Sequence, residues 1–508
     1  MNLLSSASVY SIYTLISRVL GYLRDILIAI FLGASVYADA FFVAFRIPNT
    51  FRRLFAEGTF NAAFIPSYAA EKNLGKEASK NFANEVFSLL AFILLLIVFL
   101  VEIFTPTIVY LISPGFFNDI EKYSLAVELT RITFPFLFFI SLASFFSGIL
   151  NCNNRFAAAA AAPIILNLVL IIILIISFYL KLDFAKNLAY GVTLSGIFQL
   201  FFLIIFCRKY YKPSLILKFK ISKKVKFFFK KLLPSIFSSG VTQINILVGT
   251  IIASFESGAV SYLYYADRVY QINLAIAGIA VGTVSLPVLA KNIKNKKFNN
   301  INSLQNKSLE LCLLLSIPAS LGLIIASYEI VNALFGYGSF TKQDVHLTSL
   351  ALKYFGYGIP AFALIKILSN FFFARDNTKT PFYLSLLSVL LNILISVYYF
   401  KEIGFLIIPI ATSVSTWLTV FAYLILLINK KFLLIKKLPY KNFFKIIFST
   451  IIMSFVLYYV LAFFDDKLIY SNNNKFFYII IVISLVAAIY LITCNLLGVL
   501  KIKNYRTS

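Results

Sequence analysis

Uninterrupted apolar runs recur from one end of this 508-residue chain to the other, and they decide its class. Each run has about 20 residues, which as a helix is long enough to cross the ~30 Å hydrocarbon core of a bilayer. The strands of an outer-membrane barrel would instead alternate apolar and polar residues over about 10 positions. Because the Ile, Leu and Phe runs are continuous, the sequence predicts an all-α polytopic membrane protein.

About fourteen membrane spans are predicted from these runs. They begin near residues 4, 36, 86, 125, 156, 186, 229, 259, 305, 348, 380, 404, 441 and 475. The first run lacks the short basic region, compact apolar core and small-residue cleavage site of a signal peptide, so we interpret it as a retained span.

The distribution of Lys and Arg between the loops predicts the orientation of the chain. Three lysines lie at 72–80, ten basic residues at 208–231, five at 291–307 and six at 430–445, all after even-numbered spans. The opposite connections hold one or two each. Since basic loops stay on the cytoplasmic side, both termini are predicted to be cytoplasmic. Much of the net charge of +26 therefore reflects topology rather than nucleic-acid binding.

The basic segment at 208–231 divides six spans from the next six. Its mixture of Lys with Phe, Ile and Leu is typical of an amphipathic piece on the inner membrane face. Two short similarities relate the halves: "NRFAAAAAAP" resembles "ARDNTKTP", and Gly33-Ala34 after span one matches Gly258-Ala259 after span seven. We therefore predict two pseudo-symmetric six-helix lobes, at 1–207 and 232–430, around a central cavity, with two extra C-terminal helices at 431–508.

The first span carries three charges where lipid is expected, within "SRVLGYLRDILIA". Placing Arg18, Arg24 and Asp25 in hydrocarbon would cost on the order of 8–10 kcal/mol. On a helix, Arg18 and Asp25 share a face with Gly21, and Arg24 lies about 100° from Asp25. These side chains are predicted to line a water-filled cavity. The alternative is that Arg24 and Asp25 lie near the outer end of the span and snorkel to water.

A polar stripe on the second span supports the same prediction. Its members are separated by 7, 3, 4 and 4 residues and so share one side of a helix: Asp39, Arg46, Asn49, Arg53 and Glu57. Arg52 lies about 100° from the stripe and is expected to reach a neighbouring span. The alternative interpretation is a purely structural ladder of salt bridges.

The second half of the chain contributes Asp267 and Arg268, among tyrosines, at the place that corresponds to span two. The three charged spans together contain six arginines and four carboxylates, which leaves a surplus of two positive charges. A cavity with that surplus favours an anion, and the planar fork of arginine suits phosphate or carboxylate. The candidate substrate-binding residues are therefore Arg18, Arg24, Asp25, Asp39, Arg46, Asn49, Arg52, Arg53, Glu57 and Arg268.

Other functional classes fit the sequence less well. With one histidine, His346, and four cysteines without metal-ligand spacing, neither a zinc site nor a histidine triad is indicated. A membrane enzyme would need a carboxylate cluster to hold Mg²⁺, and the loops offer pairs such as Asp465-Asp466. A drug exporter would favour acidic residues without surplus arginine. A scaffold without transport would tolerate loss of the buried arginines one at a time.

Three stretches resemble one known family: "SRVLGYLRD", "DAFFVAFRIPNTFRRLFAEGTFNAAFIP" and "YYADRVYQ" followed by "GIAVGTVSLP". In order and spacing they are similar to the lipid II flippases of the MurJ (MviN) type, in the multidrug/oligosaccharidyl-lipid/polysaccharide exporter superfamily. Fourteen spans with a long basic linker after the sixth extend the resemblance to the whole chain.

The resemblance implies a transporter of the bacterial cytoplasmic membrane rather than an enzyme. It would move lipid II, the undecaprenyl-pyrophosphate-linked disaccharide-pentapeptide, from the inner to the outer leaflet by alternating access. In that family the positions matching Arg18, Arg24, Asp39, Arg52 and Arg268 are functionally important, and Arg24, Asp25 and Arg268 lie together beside the pyrophosphate. Spans thirteen and fourteen would form a groove for the lipid tail.

The resemblance has one departure and leaves the energy source open. Gln271 and Asn273 replace the acidic residue and the proline often found after the Asp-Arg pair, which puts a carboxylate role there in doubt. The family is usually tied to membrane potential; Thr242, Gln243 and Asn245 are candidates for a coupling cation, although such groups more often bond between helices. A monomer surrounded by membrane lipids, near the machinery of cell-wall synthesis and without cofactor or nucleic acid, is expected.

Overall fold

The computed structural model describes residues 3–54, 60–215, 221–434 and 438–500. Nineteen α-helices account for most of these residues, and the described part of the chain contains no β-strand. The predicted fold class, an all-α polytopic membrane protein, is confirmed. By contacts the chain forms two compact units, Met1–Ser261 and Tyr262–Ser508.

The first unit holds nine complete helices. They are α1 (Leu3–Leu32), α2 (Val36–Leu54), α3 (Phe60–Asn73), α4 (Lys76–Ile112), α5 (Ile120–Thr133), α6 (Phe136–Cys152), α7 (Phe156–Leu180), α8 (Phe184–Cys207) and α9 (Lys223–Ala253).

The next helix, α10 (Ala259–Leu274), begins at the end of the first unit and continues into the second. A single π-helical segment, Ala275–Ala280, joins it to α11. The remaining helices are α11 (Val281–Lys294), α12 (Phe298–Ile325), α13 (Ser327–Phe335), α14 (Lys342–Phe373), α15 (Lys379–Ile403), α16 (Ile407–Asn429), α17 (Tyr440–Phe463), α18 (Asp465–Leu468) and α19 (Lys475–Leu496).

Nine segments of the described chain are long and apolar enough to cross a membrane, and they hold ten of the predicted spans. The other four predicted spans coincide with α1, α2, α9 and the α10–α11 segment. These are the first two spans of each predicted half. In α1 and α2, charged residues interrupt the apolar run.

The two units pack their helices in the same order. In the first unit α4 packs on α6, α6 on α8, and α8 on α7; in the second, α12 packs on α14, α14 on α16, and α16 on α15. The short similarities seen in the sequence have matching conformations. Gly33 and Gly258 both adopt a left-handed conformation, with φ of 62° and 77°, and Asn154 and Asp376 both have φ of 57°.

A third correspondence is a contact between the loop before the fifth span of each half and the segment just after its sixth span. Arg155 donates from Nε to the Tyr210 hydroxyl at 2.8 Å. In the second unit the Arg375 guanidinium lies 4.2 Å from the centre of the Phe432 ring. An arginine therefore contacts an aromatic residue just beyond the sixth span of each half, as expected for a duplicated bundle.

The last part of the predicted 208–231 linker is helical in the structure. Residues 223–231 are the first turns of α9, which Ser222 caps by accepting a hydrogen bond from the Val225 amide at 3.3 Å. Phe228 is fully buried against Phe60, Phe64 and Phe82. Because this end of α9 packs on α3 and α4, the helix groups with the first unit and not with the second.

Hydrogen bonds at three places join the two C-terminal helices to the rest of the second unit. The Asn442 amide donates to Glu310 of α12 at 3.0 Å, and the Tyr490 hydroxyl donates to the Leu314 carbonyl at 2.7 Å. At the other end, Lys475 donates to the carbonyl oxygens of Gly336 and Tyr470, each at 2.6 Å. Helices α17 and α19 are therefore integral to the second unit.

Candidate functional site

The charges of the first span form a buried network between α1 and α7. Arg24 donates to Asp25 Oδ1 from Nε at 3.0 Å and from Nη2 at 2.7 Å. Its Nη1 donates to Asn167 Oδ1 at 2.9 Å. Arg24 and Asp25 are only 5% and 1% exposed. In this structure the pair is buried and does not extend to water.

Asn167 links this network back to the start of the charged segment. Its amide donates to the Ser17 carbonyl at 2.8 Å. A Cβ on Gly21 would lie 3.6 Å from the same amide nitrogen, so glycine allows α1 and α7 to approach closely at this level. Gly21 thus faces α7, whereas Arg18, which is predicted to share its helix face, is exposed.

Asp39 forms a second network, with partners that the sequence did not suggest. Lys122 of α5 donates to its Oδ2 at 2.6 Å, and the Gly258 amide donates to the same oxygen at 2.8 Å. The backbone amide and hydroxyl of Ser261 donate to Oδ1 at 2.9 and 2.6 Å. Asp39 is fully buried, so one carboxylate joins α2, α5 and the first turn of α10.

The remaining polar residues of the second span are half-buried. Arg46, Asn49, Arg52 and Arg53 all have this intermediate exposure. The Arg52 Nε donates to Asn49 Oδ1 at 3.0 Å, an i to i+3 contact that joins the off-stripe arginine to the stripe. Glu57 lies outside the described residues.

In the second unit, Arg268 is half-buried and held by its own helix. Its Nη2 donates to the Tyr264 hydroxyl at 2.8 Å, and the guanidinium lies 4.8 Å from the centre of that ring. Gln271 donates from its amide to Asp267. Gln243 and Asn245 of α9 are half-buried, and the Thr242 side chain lies outside the described part of the chain.

Sequence reasoning missed four partners: Asn167, Lys122, Gly258 and Ser261. Asn167 had a usable signal, because it is a lone amide in the apolar run "PIILNLVLIIILIIS". Lys122 had none, because it is one lysine in the loop-like segment "SPGFFNDIEK". Within the described residues, no group of three or more His, Cys, Asp or Glu side chains is placed to hold a metal ion.

An apolar groove of about 520 Å³ runs between α17 and α19. Its walls are mostly aromatic, and it is lined by Phe455, Val456, Tyr459, Phe463, Phe464 and Leu485. The groove lies within the second unit and is bounded by the two helices that have no counterpart in the duplicated halves.

Two similarly packed helical units, the first of which has two buried ion pairs in its helices, define a polytopic membrane transporter. The model of the family described as lipid II flippase MurJ matches residues 28–494. A protein of Rickettsia prowazekii named probable lipid II flippase MurJ is 36% identical over 417 residues, which cover 82% of each chain. This chain belongs to the lipid II flippase MurJ family, so the resemblance seen in the sequence is confirmed.

Solved structures agree with this assignment. A lipid II flippase MurJ in an inward closed conformation is 30% identical, with a TM-score of 0.81, and the match covers 96% of this chain and 98% of that one. An inward-facing multidrug resistance MATE family transporter of the MOP superfamily has a TM-score of 0.65. Since it is only 14% identical, that likeness concerns the fold alone.

Proposed function

We propose that this chain flips lipid II, the undecaprenyl-pyrophosphate-linked disaccharide-pentapeptide, from the inner to the outer leaflet of the bacterial cytoplasmic membrane by alternating access. Membership of the lipid II flippase MurJ family supports this function, as does the 30% identical solved flippase. A drug exporter of the same superfamily is not favoured, because the MATE likeness is limited to the fold.

The observation that carries the proposal is the buried Arg24–Asp25–Asn167 network. A buried ion pair adds little to stability and is often replaceable by apolar residues, so its presence in a membrane helix indicates a functional role. Asp25 and Asn167 fix the plane of the guanidinium, and an oriented guanidinium can bind a phosphate oxygen without first losing side-chain entropy. We assign Arg24 to the diphosphate of the substrate.

The Asp39–Lys122 pair changes the charge balance in favour of an anion. The count made from the sequence subtracted the charge of Asp39 from that of the arginines. In the structure Lys122 neutralises Asp39 instead, with its Nζ 2.6 Å from Asp39 Oδ2. The arginine surplus of the candidate site is therefore larger by one charge than the sequence count gave. We assign the half-buried Arg46, Arg52 and Arg53 of the first unit, together with the exposed Arg18, to the anionic substrate. Arg268 of the second unit stays a predicted substrate-binding residue.

The groove between α17 and α19 is proposed to hold the polyprenyl tail. An undecaprenyl chain is apolar along its whole length, and the aromatic walls of the groove offer it a large contact area. The hydrogen bonds from Asn442, Tyr490 and Lys475 support a groove that keeps its shape, since both helices are held by α12 and its neighbours.

Replacing Arg24 tests the assignment of the diphosphate site. We expect Arg24→Ala to fail to rescue growth of cells depleted of their lipid II flippase. Arg24→Lys should rescue weakly, because it keeps the charge beside Asp25 but not the planar fork. The matched control is Arg131→Ala, an exposed arginine of the same unit. Normal growth with Arg24→Ala at normal membrane levels of the protein would contradict the assignment.

Filling the groove tests the assignment of the tail. Val456→Trp adds a large ring to its wall, whereas Ile451→Trp places the same ring on an exposed position of α17. We expect Val456→Trp to lower the rate at which lipid II reaches the outer leaflet, and Ile451→Trp to leave it near that of the unmodified protein. Equal rates for the two variants, at equal protein levels, would refute the tail assignment.

A further inference from the structure

Helix α14 contains a buried proline near its middle, and a neighbouring helix supplies the hydrogen bond that this proline removes. Pro360 lies inside the 32-residue helix. Because proline has no N–H, the Gly356 carbonyl lacks the i to i+4 bond of an α-helix. The Ser320 hydroxyl of α12 donates to that carbonyl at 2.7 Å, in the buried part of the unit. A side chain of another helix thus replaces the missing backbone bond.

Helix α16 supports the same turn of α14. Trp417 donates from Nε1 to the Tyr357 carbonyl at 2.9 Å, and the Ser413 hydroxyl donates to the Tyr354 carbonyl at 2.7 Å. Positions 413 and 417 share one face of α16, since they are separated by four residues. A Cβ on Gly358 would lie 2.7 Å from Ser413 Oγ, so this close approach requires glycine.

A second irregular segment packs against α14 just beyond the proline. The π-helical segment Ala275–Ala280, which joins α10 to α11, packs on both α12 and α14. A Cβ on Gly278 would lie 3.0 Å from the Cα of Ala363, which is less than one helical turn after Pro360. Prolines and single π-turns are the usual places where membrane helices bend. Two such places on neighbouring helices therefore lie side by side.

The described helices leave one side of the proline turn uncovered. A groove of about 600 Å³ lies between α12, α14 and α16, and Tyr357 and Pro360 form part of its wall. The Tyr357 side chain is 47% exposed, whereas Ile359 and Ala361, on either side of the proline, are fully buried. The turn is packed on one side and adjoins the groove on the other, so α14 can bend there without disrupting a filled core.

We propose that the Pro360 turn and the adjacent π-helical segment together form a hinge of the second unit, about which the two ends of α14 change direction during alternating access. The hydrogen bonds from Ser320, Ser413 and Trp417 keep backbone carbonyl oxygens of the turn paired, so bending leaves no unpaired polar group in the membrane. The inference rests on the proposed function, because flipping by alternating access requires at least two states.

The rate of lipid II flipping in proteoliposomes tests the hinge. Pro360→Ala supplies the missing N–H, so the Gly356 carbonyl gains a bond within α14 and the straight helix becomes more stable. We expect this variant to unfold at an equal or higher temperature and yet to flip lipid II about two- to tenfold more slowly, because one more backbone hydrogen bond must break whenever α14 bends. Substitution of a merely structural proline would lower stability and rate together.

Pro381→Ala is the matched control. Pro381 lies in the first turn of α15, where a backbone N–H has no partner within the helix. The control shares with Pro360→Ala the added freedom of the unfolded chain, but it adds no bond to a helix interior. Its flipping rate should equal that of the unmodified protein. An unmodified rate for Pro360→Ala, or an equal loss of rate for both variants, would overturn the hinge.

A double-variant cycle tests the Ser320 contact by thermal unfolding. Ser320→Ala leaves the Gly356 carbonyl buried and unpaired, and it should lower the unfolding temperature. In the Pro360→Ala background that carbonyl is bonded within α14, so the same substitution should have little effect. Equal losses in the two backgrounds would overturn the role of the Ser320 hydroxyl in the hinge.

Hydrogen exchange of the unmodified protein decides the matter should Pro360→Ala fold poorly. It compares residues 357–364 of α14 with residues 411–418 of α16, which lie at the same level because Ser413 and Trp417 contact α14 there. A hinge opens locally, so the α14 amides should exchange faster, and equal or slower exchange would contradict it. Neither exchange nor the unfolding cycle uses lipid II. An unmodified protein that does not flip lipid II would therefore contradict the proposed function, while these two measurements still test the hinge.

Discussion

At the scale of the residue, the cost of burying charge predicted which side chains matter but not what holds them. Arg24, Asp25 and Asp39 stood out because lipid cannot accommodate them. Their partners could not be derived, since helical periodicity relates only residues of one helix. Asn167 is 143 positions from Arg24, and Lys122 is 83 positions from Asp39. Such contacts depend on how separate helices pack.

The Asp39–Lys122 pair is predicted to be strongly coupled in stability. Either Asp39→Asn or Lys122→Met alone leaves one buried charge without its opposite, at a cost of about 3–5 kcal/mol. The double variant removes both charges and should lose less than the sum of the two single variants. Thermal unfolding can be followed with a thiol-reactive dye, which reports exposure of the buried Cys207, Cys312 and Cys494.

An exposed ion pair in the same unit provides the control for this cycle. Lys186 and Glu128 lie 2.9 Å apart, but their side chains are 43% and 47% exposed. Lys186→Met and Glu128→Gln should each change the free energy of unfolding little, and the two changes should add, because solvent screens an exposed pair. Additive losses for the buried pair as well would mean that Asp39 and Lys122 do not act together.

At the scale of the element, the sequence predicts where several of the helices begin. The predicted starts at residues 36, 156, 259 and 475 coincide with the first residues of α2, α7, α10 and α19. The mixture of Lys with Phe, Ile and Leu at 208–231 predicts an amphipathic linker between the halves. In the structure its last nine residues are helical, and the helix buries Val225, Phe228 and Leu232 at intervals of three and four residues, so the helix continues through the lysines.

The aromatic contact of α9 with α3 and α4 is predicted to stabilise the first unit. Phe228→Ala should lower the free energy of unfolding by about 3–5 kcal/mol, because the cavity left among Phe60, Phe64 and Phe82 cannot close fully. Phe227→Ala changes the adjacent ring, which is 57% exposed, and should stay within about 0.5 kcal/mol. Equal losses for the two alanine variants, in thermal unfolding of the purified protein, would show that this end of α9 is not docked.

At the scale of the whole molecule, the two units show the duplication in the order in which their helices pack. Helices α4, α6, α8 and α7 of the first unit pack in the same order as α12, α14, α16 and α15 of the second. The sequence revealed this through short similarities such as Gly33-Ala34 and Gly258-Ala259, whose glycines both need a positive φ that other residues rarely adopt. The way in which the helices pack could not be predicted from those fragments.

The orientation of the chain in the membrane is the last prediction, and it follows from the basic loops. Asn118 lies in a connection with few basic residues, and Asn300 lies beside Lys291, Lys294, Lys296 and Lys297; both are exposed. Cysteines are introduced singly at these positions in a Cys152→Ser background, which removes the half-buried native thiol. A membrane-impermeant maleimide should label Asn118→Cys in intact spheroplasts, and Asn300→Cys only after permeabilisation. The reverse pattern would invert the proposed topology, and labelling of both sites in intact spheroplasts would place them on one side of the membrane, against the alternation that the lysines predict.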